Sequence, residues 1–117
     1  MPDINDTINY IEFPMLDVVK TKKFYSEAFG WKFTDWGESY ISFDGAGVAG
    51  GFNGLGEVKP EKPGVLVVLY ANNLEKKCEV VMAAGGKIKQ AIYSFPGGRR
   101  FHFADPNGNE LAVWSDK

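Results

Sequence analysis

The sequence predicts an α+β fold of two βαβββ modules in tandem, forming a curved, partly open, barrel-like mixed sheet around a cavity with the helices on the outside. Three observations support this prediction: short segments alternate apolar and polar residues, each half contains a capped amphipathic helix, and the two halves repeat at constant spacing. The predicted single domain covers residues 1–117, with module one at about 8–53, a linker at about 54–64 and module two at about 65–115.

The first module begins with an alternating strand in which Tyr10 and Glu12 share the less apolar face. Asp17 is the predicted N-cap of a helix over residues 18–29, where apolar residues keep helical spacing. Gly30 follows in the position that favours a left-handed backbone and ends the helix. The strands predicted for this module are residues 9–15, 31–33, 40–43 and 47–52.

The second module repeats this order. Asn72 is the predicted N-cap of its helix, with Glu75 three residues later as in a capping box, and Gly85-Gly86 ends the helix. The predicted buried stripe consists of Leu74, Cys78, Val81 and Met82. The predicted extended segments are residues 65–70, 87–89, 91–95 and the two strands within 100–114.

The turn between those last two strands is specified by several residues at once. Asp105 can bond to its own backbone, Pro106 restricts φ, and Gly108 supplies a positive φ. A turn defined in this way fixes the register of the strand that follows. Glu110 and Trp114 are therefore expected to share one face of that strand.

The two halves match when the second is shifted by 56 positions, which places Asn73 on Asp17 and Gly86 on Gly30. Each half then contains a strand, a helix and three further strands. Neither half could cover both faces of its sheet alone. Two half-sheets, each covered on one side by its helix, are expected to enclose a cavity between their uncovered faces.

Composition excludes several classes of function. The net charge is −2, with 44% hydrophobic and 24% charged residues, and no long Lys/Arg block suggests a nucleic-acid or membrane surface. No apolar run approaches the roughly 20 residues that span a bilayer, and the N-terminus does not resemble a signal peptide. The single cysteine, Cys78, fits a reducing compartment, so a cytoplasmic location is expected.

Four segments stand out together: Glu12-Phe-Pro-Met-Leu-Asp17, Phe24-Tyr25, Phe29-Gly30-Trp31 and Phe103-Ala-Asp-Pro-Asn-Gly-Asn109. Combined, they resemble the vicinal oxygen chelate superfamily, which includes glyoxalase I, bleomycin-resistance proteins, fosfomycin-resistance enzymes and extradiol dioxygenases. The similarity is greatest to short, single-domain, glyoxalase-related proteins and covers residues 8–115. It implies paired βαβββ modules around a cavity and, commonly, a homodimer. Fold alone does not fix function, which must be argued from the site.

The resemblance also implies where a metal would be held. Metal-dependent members use His and Glu on the first and last strands of each module, and those positions fall here on Tyr10, Leu66, Gly50–Gly51 and Ala112. Leucine, alanine and glycine side chains offer no donor, and a phenol is an uncommon ligand. No metal or other cofactor is therefore expected at the inherited positions.

A substitute metal site is the alternative. Strand parity and the family pattern place Glu12 and Glu110 on the cavity face, and His102 lies opposite the face of its neighbouring phenylalanines. These three side chains would offer three donors to a divalent metal. Glu12 and Glu110 could instead be solvated or paired with Arg99 or Arg100.

The expected cavity is apolar and aromatic, with a few polar groups, as is usual for small-molecule sites. The residues predicted to line it are Tyr10, Glu12, Leu66, Val68, Tyr70, Arg100, His102, Glu110, Ala112 and Trp114. The first hypothesis is a metal-free protein that binds a small organic molecule by aromatic stacking, in the manner of drug-sequestering relatives. The second is an enzyme, either a metal-dependent lyase, isomerase or dioxygenase with substitute ligands, or an acid–base isomerase. The third is an assembly or regulatory module with a filled cavity.

Overall fold

The computed structural model describes residues 4–6, 8–55 and 65–117, which form two modules of the same type. Module one contains β1 (Tyr10–Pro14), α1 (Val18–Phe29), β2 (Lys32–Asp35), β3 (Tyr40–Asp44) and β4 (Ala49–Asn53). Module two contains β5 (Val67–Tyr70), α2 (Leu74–Ala83), β6 (Lys87–Phe95), β7 (Gly98–Ala104) and β8 (Glu110–Ser115). Most of the linker predicted at 54–64 lies outside the described residues.

The two sheets have the same topology, which confirms the predicted tandem repeat and fold class. Their strand orders are β1-β4-β3-β2 and β5-β8-β7-β6. β1 runs parallel to β4, and β5 runs parallel to β8. All other neighbouring strands are antiparallel. Neither sheet closes into a barrel. No helix of the described residues is long and apolar enough to cross a membrane.

The helix ends follow from the capping residues, with one correction. The Asp17 side chain accepts a hydrogen bond from the amide of Lys20, and Gly30 ends α1 with φ 74°, as predicted. The predicted cap at Asn72 is wrong, because the α2 cap is Asn73, whose side chain accepts from the Lys76 amide at 3.0 Å. The carbonyl of Asn72 instead accepts a hydrogen bond from Ser115 at the end of β8.

The buried stripe of α2 is narrower than predicted. Leu74 and Val81, seven positions apart, lie on the same side of the helix and are both buried. Met82 was expected beside them but is 50% exposed, because it follows Val81 by one residue and so points about 100° away. Cys78 is partly buried at the edge of the stripe.

One apolar core joins the two modules. α1 and α2 pack against each other, and the ring of Phe103 lies 5.8 Å from the rings of both Phe24 and Phe29. Strand alternation directs Phe13 and Phe52 into this core as well. The opposite face of each sheet is left uncovered. These two uncovered faces are called the first and second open faces below.

The turn before β8 connects module two to the start of α1. Asp105 Oδ1 accepts hydrogen bonds from the amides of Asn107 and Asn109, as expected of a turn residue. Asn107 Oδ1 in turn accepts from the amides of Leu16 and Asp17, at 2.7 and 3.1 Å. The turn that fixes the β8 register therefore also satisfies backbone donors of the other module.

Candidate functional site

The first open face contains an aromatic cleft of about 440 Å³. Its lining residues are Tyr10, Trp36, Tyr40, Ser42, Phe43, Asp44, Ala49 and Gly50. Trp36 is 65% exposed, and its indole Nε1 donates to Ser42 Oγ at 2.8 Å, which orients the ring. The cleft therefore offers an oriented indole and two phenol rings to a ligand, with an acidic side chain at its edge.

Two tyrosine hydroxyls meet at the centre of this face, where Tyr10 and Tyr40 form a short hydrogen bond. Burial, followed by contacts with Tyr10 and Glu12, raises the pKa of Tyr40 well above its usual 10.0, so the phenol remains neutral at physiological pH. A Cβ added at Gly51 would lie 2.6 Å from the Tyr40 hydroxyl and 2.7 Å from the Tyr10 hydroxyl. Glycine therefore leaves the space that the hydroxyl pair occupies.

The donor chemistry at the four positions carried over from metal-dependent relatives does not fit a divalent metal. The hydroxyl of Tyr10 is already bonded to Tyr40, and Gly51 has no room for a side chain. In module two, Leu66 precedes β5 and Ala112 is fully buried on β8, and neither carries a donor atom.

The second open face brings together seven of the ten residues predicted to line a cavity. Cross-strand register aligns Ala112 with both Val68 and His102, and Trp114 with both Tyr70 and Arg100. The rings of Tyr70 and Trp114 are 5.3 Å apart, with their planes at 73°. The seven residues are Val68, Tyr70, Arg100, His102, Glu110, Ala112 and Trp114. Tyr10 and Glu12 lie on the first open face instead.

A chain of four polar side chains crosses the second open face. His102 Nδ1 is 2.9 Å from Glu110 Oε2, and His102 Nε2 is 3.0 Å from the hydroxyl of Tyr93. The same hydroxyl accepts a short hydrogen bond from Arg100 Nε. The side chain of His102 is only 13% exposed, so the contact with Glu110 is partly shielded from solvent.

Tyr93 was not predicted as a site residue, although strand parity is consistent with its position. The register between β6 and β7 shifts twice, between Ile88 and Gln90 and again between Gln90 and Tyr93, so five steps along β6 match three steps along β7. Both numbers are odd, so the two shifts cancel and Tyr93 faces the side opposite Ile88, which is the side of His102. Alternation alone gives the face of Tyr93 but not its contact with His102.

Other residues of the first open face were also missed. Tyr40 and Ser42 alternate with the buried residues Ile41 and Phe43, so the parity of β3 would have placed them opposite the core. Trp36 lies in the loop between β2 and β3, where no periodic signal exists.

The predicted substitute metal site does not form within one chain. His102 and Glu110 are in contact, but Glu12 lies on the first sheet, where its carboxylate accepts from Asn53 at 3.2 Å. Throughout residues 4–6, 8–55 and 65–117, no group of three or more His, Cys, Asp or Glu side chains is placed to hold a metal ion.

The thiol of Cys78 is unsuited to nucleophilic chemistry. Partial burial, and then the nearby charges of Glu79 and Glu75, raise its pKa above the usual 9.0. A raised pKa lowers the fraction of thiolate, which is the reactive form. This agrees with the placement of Cys78 beside the buried stripe of α2.

The model of the glyoxalase/bleomycin resistance protein/dioxygenase superfamily matches residues 7–113. Among solved structures, a family enzyme from Burkholderia phytofirmans PsJN aligns with a TM-score of 0.79 and 19% identity, covering 94% of this chain and 98% of that chain. A glyoxalase-related enzyme from Fulvimarina pelagi aligns with a TM-score of 0.80 and 19% identity, covering 94% and 88%.

TnmS3, an antibiotic binding protein from Streptomyces sp. CB03234, aligns with a TM-score of 0.68 and 20% identity, covering 94% of this chain and 95% of that chain. At these identities the structural likenesses show a shared fold only. No curated protein sequence matches this chain significantly.

Proposed function

The chain belongs to the glyoxalase/bleomycin resistance protein/dioxygenase superfamily, and from this premise we propose that it binds a small organic molecule through aromatic stacking, without a metal. The same superfamily fold is found in an antibiotic binding protein and in proteins described as enzymes. The choice between binding and metal-assisted catalysis therefore depends on the side chains of this chain.

The observation that carries the proposal is the aromatic cleft of the first open face. Trp36 and Tyr10 expose 65% and 46% of their surface, although large aromatic rings usually gain free energy by burial. Ser42, Asp44 and the tyrosine hydroxyls add polar groups around the rings. A flat aromatic ligand carrying hydroxyl or amino groups matches this combination of stacking surface and polar rim.

We further propose that the working unit is a homodimer. The two open faces of one chain lie on the sides of the sheets away from the common core, so they do not cover each other. Pairing the first open face of one protomer with the second open face of another would enclose the ligand. In such a pairing Glu12 and Asp44 of the first face could form ion pairs with Arg100 of the second.

The binding proposal is tested with a library of planar aromatic compounds in a thermal-shift screen, followed by calorimetry on the compounds that stabilise the protein. Trp36→Ala is expected to weaken binding by about tenfold or more, since a stacked ring contributes about 1–3 kcal/mol. Val19→Ala is the matched control, because Val19 is 75% exposed on α1, away from both open faces. No stabilising compound, or equal affinity in the Trp36 variant, would contradict the proposal.

The dimer is tested by sedimentation equilibrium of the full chain. Tyr70→Lys places a charge on the exposed rim of the second open face, and we expect it to shift the dimer to monomer. Val19→Lys provides the corresponding control on α1. A wild-type monomer at micromolar concentration would refute the dimer and leave the cleft as a one-chain site.

The alternative is a metal-dependent lyase, isomerase or dioxygenase with substitute ligands. The contact between His102 and Glu110 favours it, because both are metal-binding side chains on one face. Metal analysis of protein purified without chelator separates the two functions, and stoichiometric zinc, nickel, manganese or iron would favour the alternative.

A cytoplasmic location is part of our proposal and rests on the single cysteine.

A further inference from the structure

We propose that the second open face is an acid–base site in which Tyr93 exchanges a proton with a small 2-oxo carboxylate held by Arg100, while His102 and Glu110 position Tyr93. This inference goes beyond the binding function proposed above. It rests on hydrogen bonds within module two and does not depend on the aromatic cleft.

The hydrogen bonds define the direction of proton movement. An ionised Glu110 can only accept, so His102 Nδ1 must donate to it, and Nε2 is left with its lone pair. Nε2 then accepts the proton of the Tyr93 hydroxyl, 3.0 Å away. A proton passed from Tyr93 to His102 would leave an imidazolium paired with the Glu110 carboxylate.

Arg100 supplies the positive charge that would select an anionic ligand beside Tyr93. Its Nε donates to the hydroxyl of Tyr93, and its guanidinium lies 5.5 and 5.6 Å from the ring centres of Tyr93 and Phe95. Among the described residues, neither Nη atom of Arg100 has a hydrogen-bond partner. The planar fork of a guanidinium matches a carboxylate bound by two parallel hydrogen bonds.

A carboxylate on those nitrogens would lie within a few ångströms of the Tyr93 hydroxyl, because Nε of the same guanidinium already contacts it. The aromatic rings of Phe95 and Trp114 lie on the same face, with their centroids 6.3 Å apart, and the Arg100 guanidinium lies over the Phe95 ring. A carboxylate with an acidic C–H bond next to a carbonyl group matches the chemistry of Arg100 and Tyr93. The 2-oxo carboxylates are the simplest compounds of this kind.

The proposed step is an enolisation. Tyr93 takes the proton from the C3–H bond of the ligand as the Tyr93 hydroxyl proton moves to His102 Nε2. The electron pair of the broken C–H bond forms the C2–C3 double bond, and the carbonyl electron pair moves onto oxygen beside the Arg100 cation. The reverse step returns a proton to C3, so the cycle needs no other reactant.

The pairing of β6 with β7 is irregular next to these residues. Its register shifts twice between Ile88 and Tyr93, beside the positions aligned with His102 and Arg100. Bulges are over-represented next to active sites, at the cost of locally disrupted pairing.

The test uses pyruvate in D₂O with the full chain, and follows loss of the methyl proton signal by NMR. We expect exchange about 100-fold faster than in buffer, and Tyr93→Phe to remove that acceleration. Glu110→Gln keeps the shape of the chain and should lower the maximal rate about tenfold with an unchanged KM, which marks a positioning residue. Arg100→Lys should raise KM about tenfold, because the two-pronged contact is lost.

Arg99→Lys is the matched control, because Arg99 pairs with Glu75 away from this face and should leave exchange unchanged. Wild-type exchange no faster than in buffer would overturn the proposal. So would a Tyr93→Phe variant that exchanges as fast as wild type, even if it is less stable. If Tyr93→Phe fails to fold, the Glu110→Gln result decides. Binding of aromatic compounds to the first open face is measured separately, so the two proposals fail independently.

Discussion

The hydroxyl of Tyr25 donates a 2.9 Å hydrogen bond to Asp105 Oδ2, joining α1 of the first module to the turn before β8 in the second. Tyr25 is fully buried and Asp105 nearly so. Burial raises the pKa of Asp105 above its usual 3.8, and hydrogen bonds from Asn109, Tyr25 and Asn107 oppose that rise. The contact connects the modules at the turn that sets the register of β8.

Tyr25→Phe should lower the free energy of unfolding by about 1.5–3 kcal/mol, because it removes a donor to a buried carboxylate and leaves the ring packing intact. Urea unfolding measures the difference. Tyr70→Phe is the control, since its hydroxyl bonds to exposed Asp116, and we expect a change of less than about 0.5 kcal/mol. Equal losses of unfolding free energy in the two variants would show that the hydrogen bond from Tyr25 to Asp105 does not stabilise the fold.

The same contact predicts a loss of stability in alkali. Burial, and then the charge and hydrogen bond of Asp105, raise the pKa of Tyr25 well above 10.0. Its stabilising contribution is therefore fully present below pH 10.0 and is lost as pH rises towards the folded-state pKa. The unfolding free energy of the wild type should fall between pH 10 and 11 by up to about 1.4 kcal/mol more than that of Tyr25→Phe. If the unfolding free energies of the wild type and of Tyr25→Phe fall in parallel over this pH range, the prediction is wrong.

Asn107→Ala should destabilise the fold by about 3 kcal/mol, because it removes the acceptor shared by the amides of Leu16 and Asp17. The loss is measured by urea unfolding. Asn72→Ala is the control, since its exposed side chain accepts hydrogen bonds from the exposed side chains of Tyr70 and Lys117, and a small effect is expected. A near-neutral Asn107→Ala would mean that water replaces the lost acceptor.

Gly51→Ala should lower stability by about 2 kcal/mol, because the new methyl group would lie 2.7 Å from the Ile41 carbonyl oxygen and collide with both tyrosine hydroxyls. Calorimetric melting measures the effect. Adding Tyr40→Phe should recover part of the loss, since it removes one of the colliding hydroxyls. No recovery in the double variant would assign the cost to the Ile41 carbonyl and the remaining Tyr10 hydroxyl.

The fold could be predicted from the sequence because its main signals are local. Asp17 and Gly30 define one helix by capping, and the turn at Asp105 sets the parity that places Trp114 on an open face. Asn72 and Asn73 are chemically identical candidates for a cap, and the shift of 56 positions that places Asn73 on Asp17 agrees with the cap that the structure shows.

The candidate site was less predictable, since it depends on contacts between distant residues. Strand parity identified His102 and Glu110 as neighbours on one face, as their 2.9 Å contact shows. Strand parity also gives the face of Tyr93, because the two register shifts in β6 cancel, but its contacts with His102 and Arg100 depend on the exact cross-strand register. Nor does periodicity show that the open faces of the two modules lie on the outer sides of one shared core.

That shared core has a consequence for the folding of separated halves. Phe24 and Phe29 belong to one half and Phe103 to the other, so each half alone would present unpaired aromatic rings to solvent. A chain cut within the connecting segment should therefore yield two fragments that are largely unstructured apart and recover β-sheet when mixed. Such complementation would make the molecule a candidate split reporter, reassembled by whatever brings the two pieces into proximity.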